Sequence, residues 1–120
     1  MPEDIGNLSQ LSSLNISNAQ LSHLPESFVH LHVLYKLFLS NNRLQGLPSK
    51  MNELEKLIEM DLSNNQISAL DSDFSLLSKL KKLNISKNEL CSLPQNFGKL
   101  SKLSEMLPFK CDLASIQFCL

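Results

Sequence analysis

Histidine and cysteine side chains can ligate a metal ion and take part in nucleophilic catalysis, and the sequence has three of each. His30 and His32 lie two residues apart, a spacing that does not place both rings on one face of a helix. Cys91, Cys111 and Cys119 are odd in number and show no C-x-x-C spacing, which favours separate reduced thiols over a disulfide framework. The sequence therefore predicts no metal site, no catalytic residue and no cofactor.

The other common signatures of chemistry are missing from the sequence as well. Gly6, Gly46 and Gly98 are isolated, so they form no glycine-rich phosphate loop. Lys and Arg number 11 against 12 Asp and Glu, a balance that excludes a strongly basic nucleic-acid binder. No apolar stretch approaches the roughly 18–20 residues that span a bilayer, and the opening MPEDIGNLSQ is too acidic and polar for a secretory signal. We expect a non-catalytic, cytoplasmic protein.

A 23-residue repeat predicts the strands and return limbs that position the other polar side chains. Seven apolar columns recur at this step, the first of them containing Leu11, Leu34, Leu57, Leu80 and Leu103. The alternation Leu37-Phe38-Leu39 puts both leucines on one side of a short strand. Wider spacing after the strand predicts a turn and then a helical or 3₁₀ return limb. Each unit is too small to bury its own leucines, so neighbouring units must stack.

The columns also set the boundaries of the units. Repeats occupy residues 1–106, with a partial unit at 1–10 and full units at 11–33, 34–56, 57–79 and 80–102. Pro2, Ile5 and Leu8 are in phase with the return limb of a unit whose strand the sequence lacks. Pro108 falls on an inward-facing strand position, where it cannot donate to a sheet. Residues 103–120 are therefore either a degenerate last repeat or a divergent C-terminal tail.

Three asparagines, Asn42, Asn65 and Asn88, come where the chain leaves successive strands and turns. A buried amide at this point can bond backbone groups that the turn leaves unpaired. Stacked along the solenoid, these side chains would form a structural asparagine ladder. The first unit has Ala19 at this position and Asn18 one residue early, so we expect its turn to be irregular.

The units LYKLFLSNNRLQGLPSKMNEL (34–54) and LKKLNISKNELCSLPQNFGKL (80–100) carry the pattern L-x-x-L-x-L-x-x-N-x-L-x-x-L-P, and the chain resembles the leucine-rich repeat family. The 23-residue length, with Leu-Pro at 24–25, 47–48 and 93–94, resembles the intracellular Ras-group subtype of Ras-suppressor, Shoc-type and Scribble-like scaffolds. The resemblance implies an α/β repeat solenoid, short, curved and right-handed, with a concave parallel sheet. It also implies a role in signal transduction, with a small GTPase or its effector as a conceivable partner.

In such a solenoid the residues between the strand leucines point outward and form the concave strand face. The candidates for partner binding on this face are Lys36, Phe38, Glu59, Asp61, Lys82 and Asn84. Because neighbouring strands lie about 4.8 Å apart, Lys36, Glu59 and Lys82 can form a cross-strand charge ladder, select a partner by complementary charge, or do both. Phe38 is either an interface hot spot or a cover for Tyr35 or a neighbouring strand.

The sequence thus favours a protein–protein interaction module that acts as a scaffold and binds its partner on the concave strand face. Two alternatives remain open. One is a substrate-recognition or targeting fragment of a larger repeat-containing enzyme or receptor, and the other is a truncated isoform without independent function. The N-x-S sequons at Asn7, Asn15 and Asn84 would matter only for an extracellular receptor fragment; for a cytoplasmic protein we expect no glycan there.

Overall fold

Five short parallel strands form a single sheet. The computed structural model describes residues 2–90, 93–94, 97 and 100, together with the backbone of 105–107. The strands are β1 (Ser13–Asn15), β2 (Lys36–Phe38), β3 (Glu59–Asp61), β4 (Lys82–Asn84) and β5 (Glu105–Leu107). Each strand pairs with the next in the order β1-β2-β3-β4-β5, and every pair of neighbouring partners is 23 residues apart. The sequence repeat is therefore the strand-to-strand step of the sheet, which confirms the predicted stacking of units.

The return limbs are 3₁₀ helices in the described part of the chain, which settles the choice between helical and 3₁₀ limbs. They are η1 (Ile5–Asn7), η2 (Glu26–His30), η3 (Met51–Glu53) and η4 (Ser72–Leu76). Three to five residues are too few for a stable α-helix, and the tighter 3₁₀ turn is the usual form of such short pieces. Pro25, which directly precedes η2, has φ −69°, the angle that its ring imposes.

The apolar columns fill the space between the sheet and the return limbs. In the second unit Leu34, Leu37, Leu39 and Leu44 are all 0% exposed. Aromatic side chains from the limbs pack on the same core; the rings of Phe74 and Phe97 stack with their centroids 6.5 Å apart. Alternation along β2 and β3 sends the middle residue into this core and its two neighbours to the opposite face.

The first unit differs from the others at its turn and in its core. Its turn contains two residues with left-handed backbone angles, Asn18 (φ 60°) and Gln20 (φ 57°), whereas the next two turns contain one each, Asn41 and Asn64. This confirms the irregularity expected from Ala19. Leu11, Leu14 and Leu21 of this unit are only half-buried, because β1 is the first strand of the described sheet, whereas Leu24 and Leu31 in its return limb are buried.

Residues 2–8 pack as the return limb of a unit against the limb of the first unit. Ser27 Oγ donates a hydrogen bond to the carbonyl oxygen of Glu3 at 2.6 Å, and the Gly6 N–H donates to Ser27 Oγ at 3.4 Å. A Cβ on Gly6 would collide with the backbone oxygen of Ser27, so this close approach requires glycine.

The prediction for residues 103–120 falls outside the described residues, apart from the backbone of β5. The three cysteines, Cys91, Cys111 and Cys119, also lie outside them. The unit boundaries at the C-terminal end therefore stay predictions.

Candidate functional site

Buried amides hold consecutive strands at a fixed spacing. Asn65, 7% exposed, donates from Nδ2 to the carbonyl oxygen of Leu39 in the preceding unit at 3.0 Å and to that of Leu62 in its own unit at 2.9 Å. Its Oδ1 accepts a hydrogen bond from the N–H of Leu44 in the preceding unit at 3.0 Å. The same set of bonds to a preceding unit is made by Asn42 and Asn88.

The amides therefore link units through the backbone rather than through one another. Each of them ties the end of its own strand to the end of the preceding strand, one repeat away. A buried hydrogen-bonded amide fixes the geometry strongly, because leaving its backbone partners unpaired would be costly. The hydrogen bonds of these buried amides therefore hold the strands of the concave strand face in register.

One column of the concave strand face mostly closes turns. Its members in β1 to β4 are Asn15, Phe38, Asp61 and Asn84. The Oδ1 atoms of the two asparagines and of Asp61 accept hydrogen bonds from the N–H of the serine two residues later, at 2.9 to 3.1 Å. This local bond is the usual role of Asn and Asp at a strand end.

Phe38 is the exception in this column. Its side chain has no oxygen to accept the hydrogen bond that its neighbours take from the N–H of the following serine. The hydroxyl of that serine, Ser40, donates to Ser17 Oγ at 3.0 Å. The ring is half-buried, whereas Leu37 and Leu39 on either side are fully buried. An aromatic residue that replaces a turn-closing residue without joining the core has no evident structural purpose, which makes Phe38 the strongest candidate contact on this face.

The other column of the concave strand face alternates in charge. Lys36, Glu59 and Lys82 lie side by side in β2, β3 and β4. Lys36 and Glu59 are half-buried, and Lys82 is exposed. Among the described side chains no ion pair joins Glu59 to either lysine; Lys36 Nζ lies 5.8 Å from the centroid of the Tyr35 ring instead. The charges of Lys36 and Glu59 therefore have no ion-pair partner among the described side chains.

The structure adds two surface residues that the sequence did not single out for binding. Tyr35 and Ile58 are 39% and 36% exposed, and they are adjacent because the Ile58 N–H donates to the Tyr35 carbonyl oxygen at 2.9 Å. Both directly precede a strand, at the margin of the concave strand face. The equivalent positions of the flanking units hold Ser12 and Lys81. Comparison of this position across the units could have identified them, because they are two large apolar residues in an otherwise polar column.

The histidines do not form a site. His23, His30 and His32 are exposed, and the rings of His30 and His32 lie 6.2 Å apart. His32 Nδ1 lies 3.3 Å from the carbonyl oxygen of Glu53. Over the described residues there is no group of three or more His, Cys, Asp or Glu side chains that could hold a metal ion.

A cavity of about 240 Å³ opens between the second and third units, away from the strands. Its floor is apolar, with Met51 and Phe74, and its charged residues are Lys50, Asp71 and Asp73. No histidine, serine–histidine pair or cysteine lies among its lining residues, so the cavity presents no arrangement for nucleophilic catalysis. No helix in the described ranges is both long and apolar enough to cross a membrane.

Comparison with known proteins places this geometry in a family. Two solved structures resemble the chain, a leucine-rich repeat protein of Leptospira interrogans (30% identity, TM-score 0.84, 98% of this chain and 29% of that chain) and an internalin of Listeria monocytogenes (27% identity, TM-score 0.75, 88% and 31%). The chain thus spans less than a third of either protein. A search of curated proteins found no match. Leucine-rich repeat family models match residues 33–90 and 10–31, which together make two thirds of the sequence. The chain belongs to the leucine-rich repeat family.

Proposed function

We propose that this protein is a non-catalytic interaction module that binds a protein partner on its concave strand face. Leucine-rich solenoids generally serve as protein-binding surfaces. The observation that carries the proposal is Phe38, the one member of its column in β1 to β4 that gives up a turn hydrogen bond and keeps an aromatic ring at the surface. Strands β2 and β3 also carry Lys36 and Glu59, which have no described ion-pair partner, and Tyr35 and Ile58 directly precede these strands.

The finer form of the proposal is a cytoplasmic signalling scaffold whose partner is a small GTPase or its effector. Its support is the likeness of the 23-residue unit with Leu-Pro in three of its limbs to Ras-group repeats. Binding of purified small GTPases, loaded with GDP or with a non-hydrolysable GTP analogue, tests this form directly. Equal lack of binding in both nucleotide states would contradict it. Fluorescence microscopy of the tagged protein tests the location.

A second candidate is a substrate-recognition or targeting module within a larger repeat-containing enzyme or receptor. It is favoured by the share of the two similar structures that the chain spans, 29% and 31%. The test is whether coding sequence that flanks this chain continues the 23-residue phase and then enters another domain.

A pull-down from cell lysate, read by mass spectrometry, tests the binding face. The informative variant is Phe38→Ala/Asp61→Lys on the concave strand face. Its matched control is Leu76→Ala/Glu26→Lys, which makes the same kinds of change at exposed residues of η4 and η2. We expect proteins that the wild type and the control capture to be lost from the Phe38→Ala/Asp61→Lys sample. Identical lists from all three would contradict binding on this face.

Phe38→Ala alone separates binding from folding. Truncation of an interface aromatic costs about 1–3 kcal/mol of binding free energy when it is a hot spot. Because the ring is half-buried, we expect the free energy of unfolding in urea to change by less than about 1 kcal/mol. A large loss of stability with unchanged binding would show that the ring supports the fold instead.

A further inference from the structure

The charges and the ring of the concave strand face follow a fixed order along the solenoid. From β2 to β4, the first column of this face consists of Lys36, Glu59 and Lys82. In the second column, Phe38 of β2 is followed by Asp61 of β3. β3 thus presents two carboxylates on one face, while each flanking strand presents an ammonium group. Only one oxygen of Asp61 has a described partner, the N–H of Ser63 at 2.9 Å.

This arrangement fits one kind of side chain at its centre. An arginine placed over β3 can direct its planar guanidinium group towards Glu59 and Asp61 and lay its aliphatic stem against the ring of Phe38, which neighbours Asp61 in the sheet. The ring can also stabilise the guanidinium by a cation–π contact. Lys36 and Lys82 lie on the strands to either side of β3, and acidic groups on the partner complement their charges.

We propose that the partner docks a helix along the solenoid axis, with an arginine over β3 and an acidic residue on each side of it facing Lys36 and Lys82. The inference rests on the proposed function and specifies the chemistry of its partner. It predicts the pattern acid-x-x-Arg-x-x-x-acid, at positions i, i+3 and i+7 of one helix face.

Helical spacing matches the strand spacing better than extended spacing does. Strands about 4.8 Å apart place the three charges at about 0, 4.8 and 9.6 Å. A helix rises about 1.5 Å per residue, so i, i+3 and i+7 lie at about 0, 4.5 and 10.5 Å. An extended segment repeats one face every two residues, or about 6.7 Å, and reaches about 13.4 Å at its third side chain. Three partner charges that match the spacing of the strands therefore favour a helical partner segment.

Two stapled helical peptides of about 15 residues test the proposal on the full chain by fluorescence anisotropy. One carries Glu, Arg and Glu at i, i+3 and i+7, and its twin carries Lys, Glu and Lys at the same positions. We expect the first to bind the wild type at least ~10-fold more tightly at about 0.1 M salt, with the preference largely lost at about 1 M. The variant Lys36→Glu/Glu59→Lys/Lys82→Glu should reverse the preference. Glu26→Lys/Lys79→Glu, at exposed residues away from this face, should not change it.

Equal binding of the two peptides, binding of neither, or an unchanged preference in the charge-reversed variant would overturn the proposal. Tighter binding of an unstapled, proline-containing peptide with Glu, Arg and Glu at alternate residues would overturn the helical part. The pull-down separates this failure from failure of the proposed function. If Phe38→Ala/Asp61→Lys still loses its captured proteins, the face binds a partner of other chemistry; if it loses none, binding on this face is itself wrong.

Discussion

The leucines in and just before the strands recur in the first and second units but are buried to different degrees. Leu34 and Leu37 of the second unit are 0% exposed, whereas Leu11 and Leu14, their equivalents 23 residues earlier, are only half-buried. The second unit has a strand on each side of it, and β1 is an edge strand of the described sheet. A leucine at these strand positions is therefore buried by the neighbouring units more than by its own unit.

The two units differ in their turns for a related reason. Asn42 bonds the backbone of the preceding unit, accepting hydrogen bonds from the N–H groups of Ala19 and Leu21 at 3.0 and 2.9 Å. Ala19, at the equivalent position of the first unit, has no side-chain amide to make such bonds. The side-chain amide joins one unit to the unit before it. Because no described strand precedes β1, the first unit can lack this amide without loss of a bond between described strands.

The largest effect that tests this comparison comes from truncating the same leucine in each unit. We expect Leu37→Ala to lower the free energy of unfolding by about 3–5 kcal/mol, because it leaves a cavity between two packed neighbours. Leu14→Ala should cost about half as much, since solvent already reaches that side chain. Urea unfolding followed by circular dichroism measures both values. Equal losses would mean that each unit buries its own leucine.

The buried amide provides the next largest effect. Asn65→Ala removes the partner of four backbone groups in two units, and we expect a loss of about 2–4 kcal/mol in the free energy of unfolding. Ala19→Asn adds an amide where the described chain has no preceding strand to bond, so we expect a change within about 0.5 kcal/mol. A gain above 1 kcal/mol from Ala19→Asn in the same urea assay would contradict this account of the first turn.

The sequence was sufficient to predict the fold because the repeat makes the evidence cumulative. One L-x-L is weak evidence for a strand, but the same spacing in successive units fixes both the strand and its register, and the structure pairs Leu14, Leu37 and Leu83 with their neighbours at that step. Ala19 likewise predicted the irregular turn, since alanine has no side-chain amide to donate to the carbonyl oxygens of its own unit, as Asn42 and Asn65 do.

The candidate site was less accessible from the sequence because exposure and pairing depend on side-chain packing. The pattern placed Lys36 and Glu59 next to each other, but it could not show that they form no ion pair. Nor could it show that Asp61 uses one oxygen to close its own turn, which makes that residue partly structural. The sequence pattern does not single out Tyr35 and Ile58 as surface contacts, because the position after the first leucine of a unit has no fixed residue type.

A third test concerns the segment that covers the first unit. Gly6→Ala places a Cβ against the backbone oxygen of Ser27, so we expect residues 2–8 to dock less well and the free energy of unfolding to fall by about 1–2 kcal/mol. Gly46→Ala is the matched control, because its Cβ meets no atom within 4 Å and neither glycine has a positive φ. The control should leave stability unchanged or raise it by up to about 1 kcal/mol.

Hydrogen exchange distinguishes local undocking from a general loss in this variant. The Leu8 N–H donates to the Ile5 carbonyl oxygen at 3.1 Å within the docked segment. In Gly6→Ala we expect exchange of this amide to accelerate far more than that of Leu57, whose N–H donates to the Leu54 carbonyl oxygen where two inner units meet. Equal acceleration at both amides would show that the first unit does not depend on local cover.

The smallest effect compares one position in the two turns. Gln20 has φ 57°, a backbone angle that costs a side chain free energy but costs glycine little, whereas Arg43, its equivalent in the second unit, has no positive φ. We therefore expect Gln20→Gly to raise the free energy of unfolding by about 0.5 kcal/mol and Arg43→Gly to lower it by about 0.5–1 kcal/mol. Opposite signs for the same substitution, measured by urea unfolding, would show that the missing amide at Ala19 changes the backbone of the first turn itself. If both variants lose stability alike, the two turns share one conformation, and the difference between the units lies in their leucines alone.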